Sequence, residues 1–301
     1  MAPSVVYVDG KFVDKHKAVV SVFDHGLLYG DGVFEGIRAY GGSVFRLGDH
    51  MKRLYDSAKV IRLTIPMSRH EFTEAVLETL RKNRLKDAYI RVVVTRGAGD
   101  LGVDPSLCKN PTVFIIAEPM ATGLGPKEPR SVKLIVASIR RDAVDSTSHE
   151  IKSLNYLNSI MAKMEAKSAG ADDAILLDHR GFVSEASVTN VFLVKKGKVF
   201  TPSSAAGILH GITRDRVVSL CSDLGIEVQE RDVTPFELLT ADEAFLVGTK
   251  AEILAVESVG GTRIGVASPG PLTKKVYAEF CKLVLRHEEG TPIYEAESVS
   301  V

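Results

Sequence analysis

The ten residues Ala121-Thr122-Gly123-Leu124-Gly125-Pro126-Lys127-Glu128-Pro129-Arg130 constrain the architecture of this chain more than any other segment. Glycine and proline at this density, in a stretch of low hydrophobicity, interrupt both helix and strand, so the segment reads as a linker. It divides the 301 residues into an N-terminal domain over 1–120, a linker over 121–130 and a C-terminal domain over 131–301. With 45% hydrophobic and 25% charged residues, a chain of this length can fill two modest cores.

Turn chemistry organises the first of these domains. Asp9-Gly10 inside the β-prone run 6–13 predicts a tight hairpin, and Gly41-Gly42 predicts a second between strands at 37–40 and 43–47. Asp49 is placed to cap a helix running to about Val60. A further helix is expected over 69–83, with strands over 88–95 and 112–118. Beyond the linker, a strand at 134–137 precedes an amphipathic helix over 157–167. Strands at 174–177 and 182–186 flank the turn Asp178-His179-Arg180-Gly181, and strands at 191–194 and 198–201 flank Lys195-Lys196-Gly197. Helices at 213–224 and 271–286 interrupt this strand-rich half, which favours an α+β domain with a barrel-like sheet.

Thirty-eight basic residues balance thirty-eight acidic ones, so no global field recruits nucleic acid or an anionic membrane, and neither is expected as a partner. The start, Met1-Ala2-Pro3-Ser4-Val5, lacks a basic segment followed by an apolar core, and no apolar run approaches the roughly 20 residues that span a bilayer. A cytoplasmic location is therefore expected. Cys108, Cys221 and Cys281 are widely spaced and odd in number, without a Cys-x-x-Cys pair, so they read as reduced thiols and no metal site is expected. Cys221 falls in the core of a helix.

Two polar residues carry the chemistry. Lys152, in Ile151-Lys152-Ser153-Leu154-Asn155-Tyr156-Leu157-Asn158, sits just ahead of a helix, and Glu185 lies in Val183-Ser184-Glu185-Ala186-Ser187-Val188-Thr189-Asn190. A lysine near a buried pocket can form a Schiff base with an aldehyde, and a carboxylate can keep a pyridinium nitrogen protonated, which makes the ring an electron sink. Together they suggest pyridoxal 5'-phosphate. Taken singly, Lys152 is an ordinary solvated loop lysine and Glu185 an exposed strand glutamate. Gly211-Ile212-Thr213 adds a flexible glycine opening a helix whose N-terminus favours an anion such as phosphate.

These blocks resemble the class IV, fold-type IV, aminotransferases, and among them the branched-chain amino acid aminotransferases. The resemblance spans nearly the whole chain in order: Tyr29-Gly30-Asp31-Gly32-Val33-Phe34-Glu35-Gly36-Ile37-Arg38, His50-Met51-Lys52-Arg53-Leu54, Tyr89-Ile90-Arg91, the lysine and glutamate blocks, Gly211-Ile212-Thr213-Arg214-Asp215 and Gly248-Thr249. It implies a smaller N-terminal α/β domain and a larger C-terminal pseudo-barrel α/β domain that binds the cofactor. Lys152 is then the Schiff-base lysine and proton shuttle, Glu185 the partner of the pyridinium, and Tyr156 that of the phenolic oxygen. Arg53, Gly211, Ile212, Thr213 and Thr249 are implied for the phosphate, and Leu209 for the ring face. For the substrate the resemblance implies Tyr29, Phe34, Gly36, Arg38, Tyr89, Arg91, Val103, Thr249 and Lys250. Gly36 leaves room beside the cofactor, Tyr89 holds the α-carboxylate with Arg38 orienting it, Arg91 meets a γ-carboxylate, and Val103 comes from a neighbouring subunit of a homodimer or higher homo-oligomer.

The implied reaction is ping-pong transamination between L-leucine, isoleucine or valine and 2-oxoglutarate. A D-amino acid aminotransferase or an aminodeoxychorismate lyase of the same fold is the alternative, and a non-catalytic cofactor-binding protein a more remote one. Two departures bear on substrate choice. Pro119-Met120-Ala121-Thr122-Gly123 replaces an aromatic-containing segment, and Lys250 stands where a small residue is usual.

Overall fold

A computed structural model describes residues 4–121 and 128–294. Most of the expected linker, residues 122–127, lies outside the described residues. The chain forms two compact units: among the described residues, the first contains 4–121, 151–154 and 283–294, and the second 128–150 and 155–282.

The first unit is built on antiparallel pairs. Strands β1 (Val5–Val8) and β2 (Lys11–Asp14) form the expected hairpin, with Asp9 and Gly10 at φ 44° and 84°. Both central residues of this two-residue turn are left-handed, the twist that matches flanking strands. A five-residue helix α1 (His25–Tyr29), not anticipated from the sequence, leads into β3 (Gly32–Tyr40), which turns through Gly41-Gly42 into β4 (Ser43–Phe45). Helix α2 (Leu47–Val60) begins two residues before Asp49. Arg46, at φ 49°, precedes it, and Asp49 sits within the first turn paired to the Arg46 guanidinium rather than at the cap. There it still complements the helix dipole. Helix α3 (Arg69–Lys82) opens with a capping box, Ser68 accepting from the Glu71 N–H while the Glu71 carboxylate accepts from the Ser68 N–H. Strands β5 (Ala88–Thr95) and β6 (Thr112–Pro119) complete the unit. With the C-terminal Gly290–Pro292 strand, the order across this seven-stranded sheet runs from that strand through β4, β3, β5, β6 and β1 to β2.

All nine residues of β3 are buried. Val33, Ile37 and Ala39 join Ile90, Val92 and Val94 of β5 and Leu47, Met51, Leu54 and Ala58 of α2 in one apolar core. The other face of β3 carries Phe34, Gly36 and Arg38, because side chains alternate along a strand.

The second unit contains β7 (Ser131–Arg140), α4 (Leu157–Ser168), β8 (Asp173–Leu177), β9 (Val183–Ala186), β10 (Asn190–Lys195), β11 (Lys198–Thr201), α5 (Ile212–Asp223), β12 (Val228–Glu230), α6 (Pro235–Leu239), β13 (Glu243–Gly248), β14 (Glu252–Val259), β15 (Thr262–Arg263) and α7 (Pro271–Leu283). Its nine-stranded sheet runs β12-β11-β10-β13-β14-β7-β8-β9, with β15 on β14. Pairs β7·β8, β7·β14 and β11·β12 are parallel and the rest antiparallel. Register shifts at β14·β7, β7·β8 and β8·β9 bend these strands, and β9 returns beside β10, so the sheet curls upon itself. This is the barrel-like curvature expected of the second half.

Helix α4 is the helix expected over 157–167, and its buried side is made of small residues. It buries Ser159, Ala162 and Ala166 against Ala137 and Ala174, and exposes Leu157, Ile160, Met161 and Met164. Small residues let the helix lie close to the sheet, which leaves no space for the larger side chains on that side. Helix α7 is anchored by the buried carboxylate of Glu243, which accepts from the N–H groups of Leu272 and Thr273 at 2.9 and 2.7 Å and from the Thr273 hydroxyl at 2.7 Å. Cys221 is buried in α5, as expected, and burial pushes its thiol up to about 11. Among the described residues, no helix is long and apolar enough to cross a membrane.

Candidate active site

In the first unit five of the expected substrate residues, Phe34, Gly36, Arg38, Tyr89 and Arg91, lie on one face of β3 and β5. The register sets Gly36 across from Arg91 and Arg38 across from Tyr89. A Cβ at Gly36 would overlap the Tyr89 hydroxyl, so the glycine, expected to leave room beside a cofactor, here makes room for that hydroxyl. Arg91 donates from Nη2 to the Tyr89 hydroxyl at 3.0 Å, and its guanidinium lies 4.4 Å from the centroid of the Phe34 ring. Arg38 is buried, with its guanidinium 4.8 Å over the Tyr40 ring and Nη2 donating to the Ala121 carbonyl at 3.3 Å.

Lys152 approaches the same ring, with Nζ 4.7 Å from the Phe34 centroid. The short segment Ile151–Leu154 covers the edge of β3 beyond the reach of β4. Phe34 N–H donates to the Lys152 carbonyl at 3.0 Å and Leu154 N–H to the Gly32 carbonyl at 3.0 Å, while Lys152 N–H donates to the Ser57 hydroxyl at 3.2 Å. The lysine is therefore carried by an edge that a rigid strand and α2 hold in place, although the segment itself has no helix or long strand.

Arg53, on α2, faces the core side of β3 and is tied to Glu35. Its Nε donates to Oε1 at 2.7 Å and its Nη2 to Oε2 at 2.9 Å, and His50 Nδ1 lies 2.8 Å from the same Oε2. Burial alone would raise the Glu35 carboxyl, but the Arg53 guanidinium and His50 outweigh it and hold it well below the usual carboxylate range. Burial lowers the His50 imidazole, against the pull of Glu35. Neither Glu35 nor His50 was singled out from the sequence. The signal is the break in Val33-x-Glu35-x-Ile37, where an acid occupies a core position.

Tyr29 and Val103 are brought together by backbone. Gly102 N–H donates to the Tyr29 hydroxyl at 3.0 Å, which leaves Leu101 and Val103 71% and 83% exposed at the loop tip.

In the second unit, Glu185 is buried on β9 at the centre of a polar network. Its carboxylate accepts from Asn190 Nδ2 at 3.0 Å and from the Leu209 N–H at 3.2 Å, with Arg141 Nη2 and His149 Nε2 each 3.5 Å from Oε1. Arg141 is fixed in turn by Ser159, Asn158 and the Ala186 carbonyl. The His149 ring lies 5.6 Å from that of Tyr156, which immediately precedes α4. Asn190, Arg141 and His149 were not singled out from the sequence, because their meeting depends on loops that bring distant segments together.

Gly211 caps α5 without a side-chain hydrogen bond, so the amides of Ile212 and Thr213 open the helix. A Cβ at Gly211 would overlap Asn190 Oδ1. Thr249 and the exposed Lys250 occupy the turn between β13 and β14. Next to that turn, Gly248 packs on Thr189, whose buried Oγ1 has no hydrogen-bond partner among the described residues.

Each unit, taken by itself, holds groups that fit pyridoxal 5'-phosphate. In the second, a buried acceptor carboxylate suits a protonated ring nitrogen, a helix start bare of a side-chain cap suits a phosphate, and the buried Thr189 hydroxyl retains hydrogen-bonding capacity; in the first, Lys152 offers a primary amine.

Comparison with known proteins agrees. The family model for amino-transferase class IV matches residues 32–259. A Methanocaldococcus jannaschii protein provisionally named a branched-chain-amino-acid aminotransferase is 51% identical over 290 residues, covering 96% of this chain and 99% of its own. The solved Escherichia coli branched-chain amino acid aminotransferase superposes with a TM-score of 0.92 at 36% identity, over 97% of this chain and 100% of its own. The branched-chain aminotransferase of the thermophilic archaeon Thermoproteus uzoniensis, solved with norvaline, gives 0.90 at 40% identity, over 97% and 100%. Ordered site residues, sheet topology and these matches coincide: the chain belongs to the class IV aminotransferases, the fold-type IV enzymes that use pyridoxal 5'-phosphate.

Proposed function

We propose that this enzyme transfers the amino group of L-leucine, L-isoleucine or L-valine to 2-oxoglutarate in two half-reactions that share one site. The observation that carries the reading is the surround of Phe34, where an apolar ring lies within 4.7 Å of the Lys152 amine and 4.4 Å of the Arg91 guanidinium. An apolar side chain and a carboxylate can each find a partner there. The relatives support the same choice of substrate. Their names specify branched-chain amino acids, and another solved branched-chain amino acid aminotransferase, 37% identical to this chain, has been complexed with 4-methylvaleric acid and with N-(5'-phosphopyridoxyl)-L-glutamate.

Pyridoxal phosphate, when bound, would supply the electron sink that the reaction needs. Lys152 would provide the primary amine for its aldehyde and, as acid and base, would move a proton between the substrate Cα and the cofactor's C4′. Glu185 keeps the ring nitrogen protonated, and Asn190 and the Leu209 N–H hold that carboxylate in place. Tyr156 is assigned to the phenolic oxygen and Leu209 to the ring face. Arg53, the amides of Ile212 and Thr213 beside Gly211, and Thr249 take the phosphate. Tyr89, set directly across the strand pair from Arg38, which orients it, and accepting a hydrogen bond from Arg91, holds the α-carboxylate with the Thr249-Lys250 backbone. Arg91 takes the γ-carboxylate of glutamate. The exposed Val103 loop, tethered through Tyr29, suits coverage by a second copy of the chain in a homodimer.

The test is the absorption spectrum of the purified holoenzyme titrated with L-leucine in the absence of any amino acceptor. The pyridoxal form is expected to give way to the pyridoxamine form, and added 2-oxoglutarate to reverse the change. Conversion by D-alanine and not L-leucine, or pyruvate release from aminodeoxychorismate, would move the assignment to the corresponding enzyme of the same fold. Lys152→Ala is expected to reduce turnover by at least about a thousandfold, since covalent attachment and proton transfer are lost together; near-normal turnover would refute the role of Lys152.

A further inference from the structure

Position 35 lies on the core face of β3. Its neighbours on that face, Val33 and Ile37, and its cross-strand partner Val92 all belong to the apolar core beneath α2. An apolar residue there would fill the space without electrostatic cost. A carboxylate brought fully out of water costs several kcal/mol unless it is paired with good geometry. Glu35 is 0% exposed and is paired on both oxygens.

The two partners stand three residues apart on α2, and so on one helix face. Burial favours neutral His50, and an ionised carboxylate can only accept, so the proton between them belongs to His50 Nδ1. Arg53 contributes the Nε and Nη2 edge of its fork. That bidentate pair fixes the plane of the guanidinium and turns the third nitrogen, Nη1, away from Glu35. A lysine at 53 could neutralise the same carboxylate but would present no defined second edge.

We propose that Glu35, steadied by its hydrogen bond with His50, is a positioning residue that aims the Nη1 edge of Arg53 at the cofactor's phosphate. The proposal rests on the assignment of Arg53 to that phosphate, so the experiment separates the two. Holoenzyme is converted to its pyridoxamine 5'-phosphate form, in which no covalent bond to Lys152 masks the non-covalent contacts. Dissociation constants are then measured for pyridoxamine 5'-phosphate and for pyridoxamine, which lacks the phosphate. The proteins compared are wild type, Glu35→Gln, Arg53→Gln and the double variant, each checked for folding by thermal melting.

Glu35→Gln is expected to weaken pyridoxamine 5'-phosphate binding by about tenfold or more while pyridoxamine changes little, the scale of one charge-assisted hydrogen bond. The double variant should bind no worse than Arg53→Gln, because Glu35 acts only through Arg53. Equal weakening of both ligands, additive losses in the double variant, or unchanged affinity in a folded Glu35→Gln protein would each overturn the role of Glu35. If Arg53→Gln leaves the preference for the phosphorylated ligand intact, it is the assignment of Arg53 that fails. Should Glu35→Gln not fold, Arg53→Lys probes the same device. Aiming requires a fork, so its affinity should fall to that of Arg53→Gln, and wild-type affinity would overturn the proposal.

Discussion

At Gly36 a single missing Cβ decides where the Tyr89 hydroxyl sits, and with it the partner that Arg91 holds. Gly36→Ala meets the far end of a flexible side chain rather than backbone, so the fold should tolerate it while Tyr89 is displaced. The expected result is a KM for L-leucine raised about tenfold, as for loss of one hydrogen bond to a charged group, with a melting temperature close to wild type. Steady-state kinetics with a parallel melt check it. At this scale the sequence was informative where backbone conformation dictates the residue, as at Asp9-Gly10 and Gly41-Gly42. It was silent where function depends on a contact across the fold. Glu35, His50 and Arg53 appear in quoted motifs, yet no local pattern states that an acid on β3 receives two side chains from the following helix. The same holds for Asn190 and Arg141 around Glu185, where only the folded loops supply the neighbours.

Elements of ordinary length were the most legible. Strand β5 spans the expected 88–95, and α3 differs from its expected span by one residue, because its cap and its apolar period agree. Short elements such as α1 and α6, five residues each, carry too little periodicity to be seen. For α4, period was visible but direction was not: its small residues face the sheet, so a rule that puts large apolar residues inward selects the wrong face. Helix α7 shows a remote cap of the same unreadable kind, since Glu243 lies on β13, far along the chain from Leu272 and Thr273. Glu243→Gln keeps the shape but loses the charge facing the helix start, and should lower unfolding free energy by about 1–2 kcal/mol in a urea titration. No change would mean that the neutral amide caps equally well.

For the molecule as a whole, acid stability is set in part by the His50-Glu35-Arg53 cluster. As pH falls through 6.5, His50 in the unfolded chain takes up a proton that folded His50, its affinity lowered by burial, resists. Below 4.5 the unfolded Glu35 is protonated while the folded carboxylate stays ionised. In both windows the unfolded state binds more protons, so stability drops with pH, and both contributions are fully present above pH 6.5. Denaturation followed from pH 8 to 3 is expected to show losses in both windows, and His50→Gln to remove the upper one only. A curve for that variant parallel to wild type through the upper window would refute the neutral imidazole.

Strand β3 serves two masters. Residues 33, 35, 37 and 39 answer to the core, and residues 34, 36 and 38 to the opposite face, where the proposed substrate contacts lie, in strict alternation over nine buried positions. Inserting or deleting one residue would exchange the two sets wholesale, turning Phe34 to the core face beneath α2 and Glu35 to the face that carries Arg38. With the substrate role proposed for that face, new preferences can enter this strand only by replacement of one residue for another, whereas changes of length are confined to the loops that surround it.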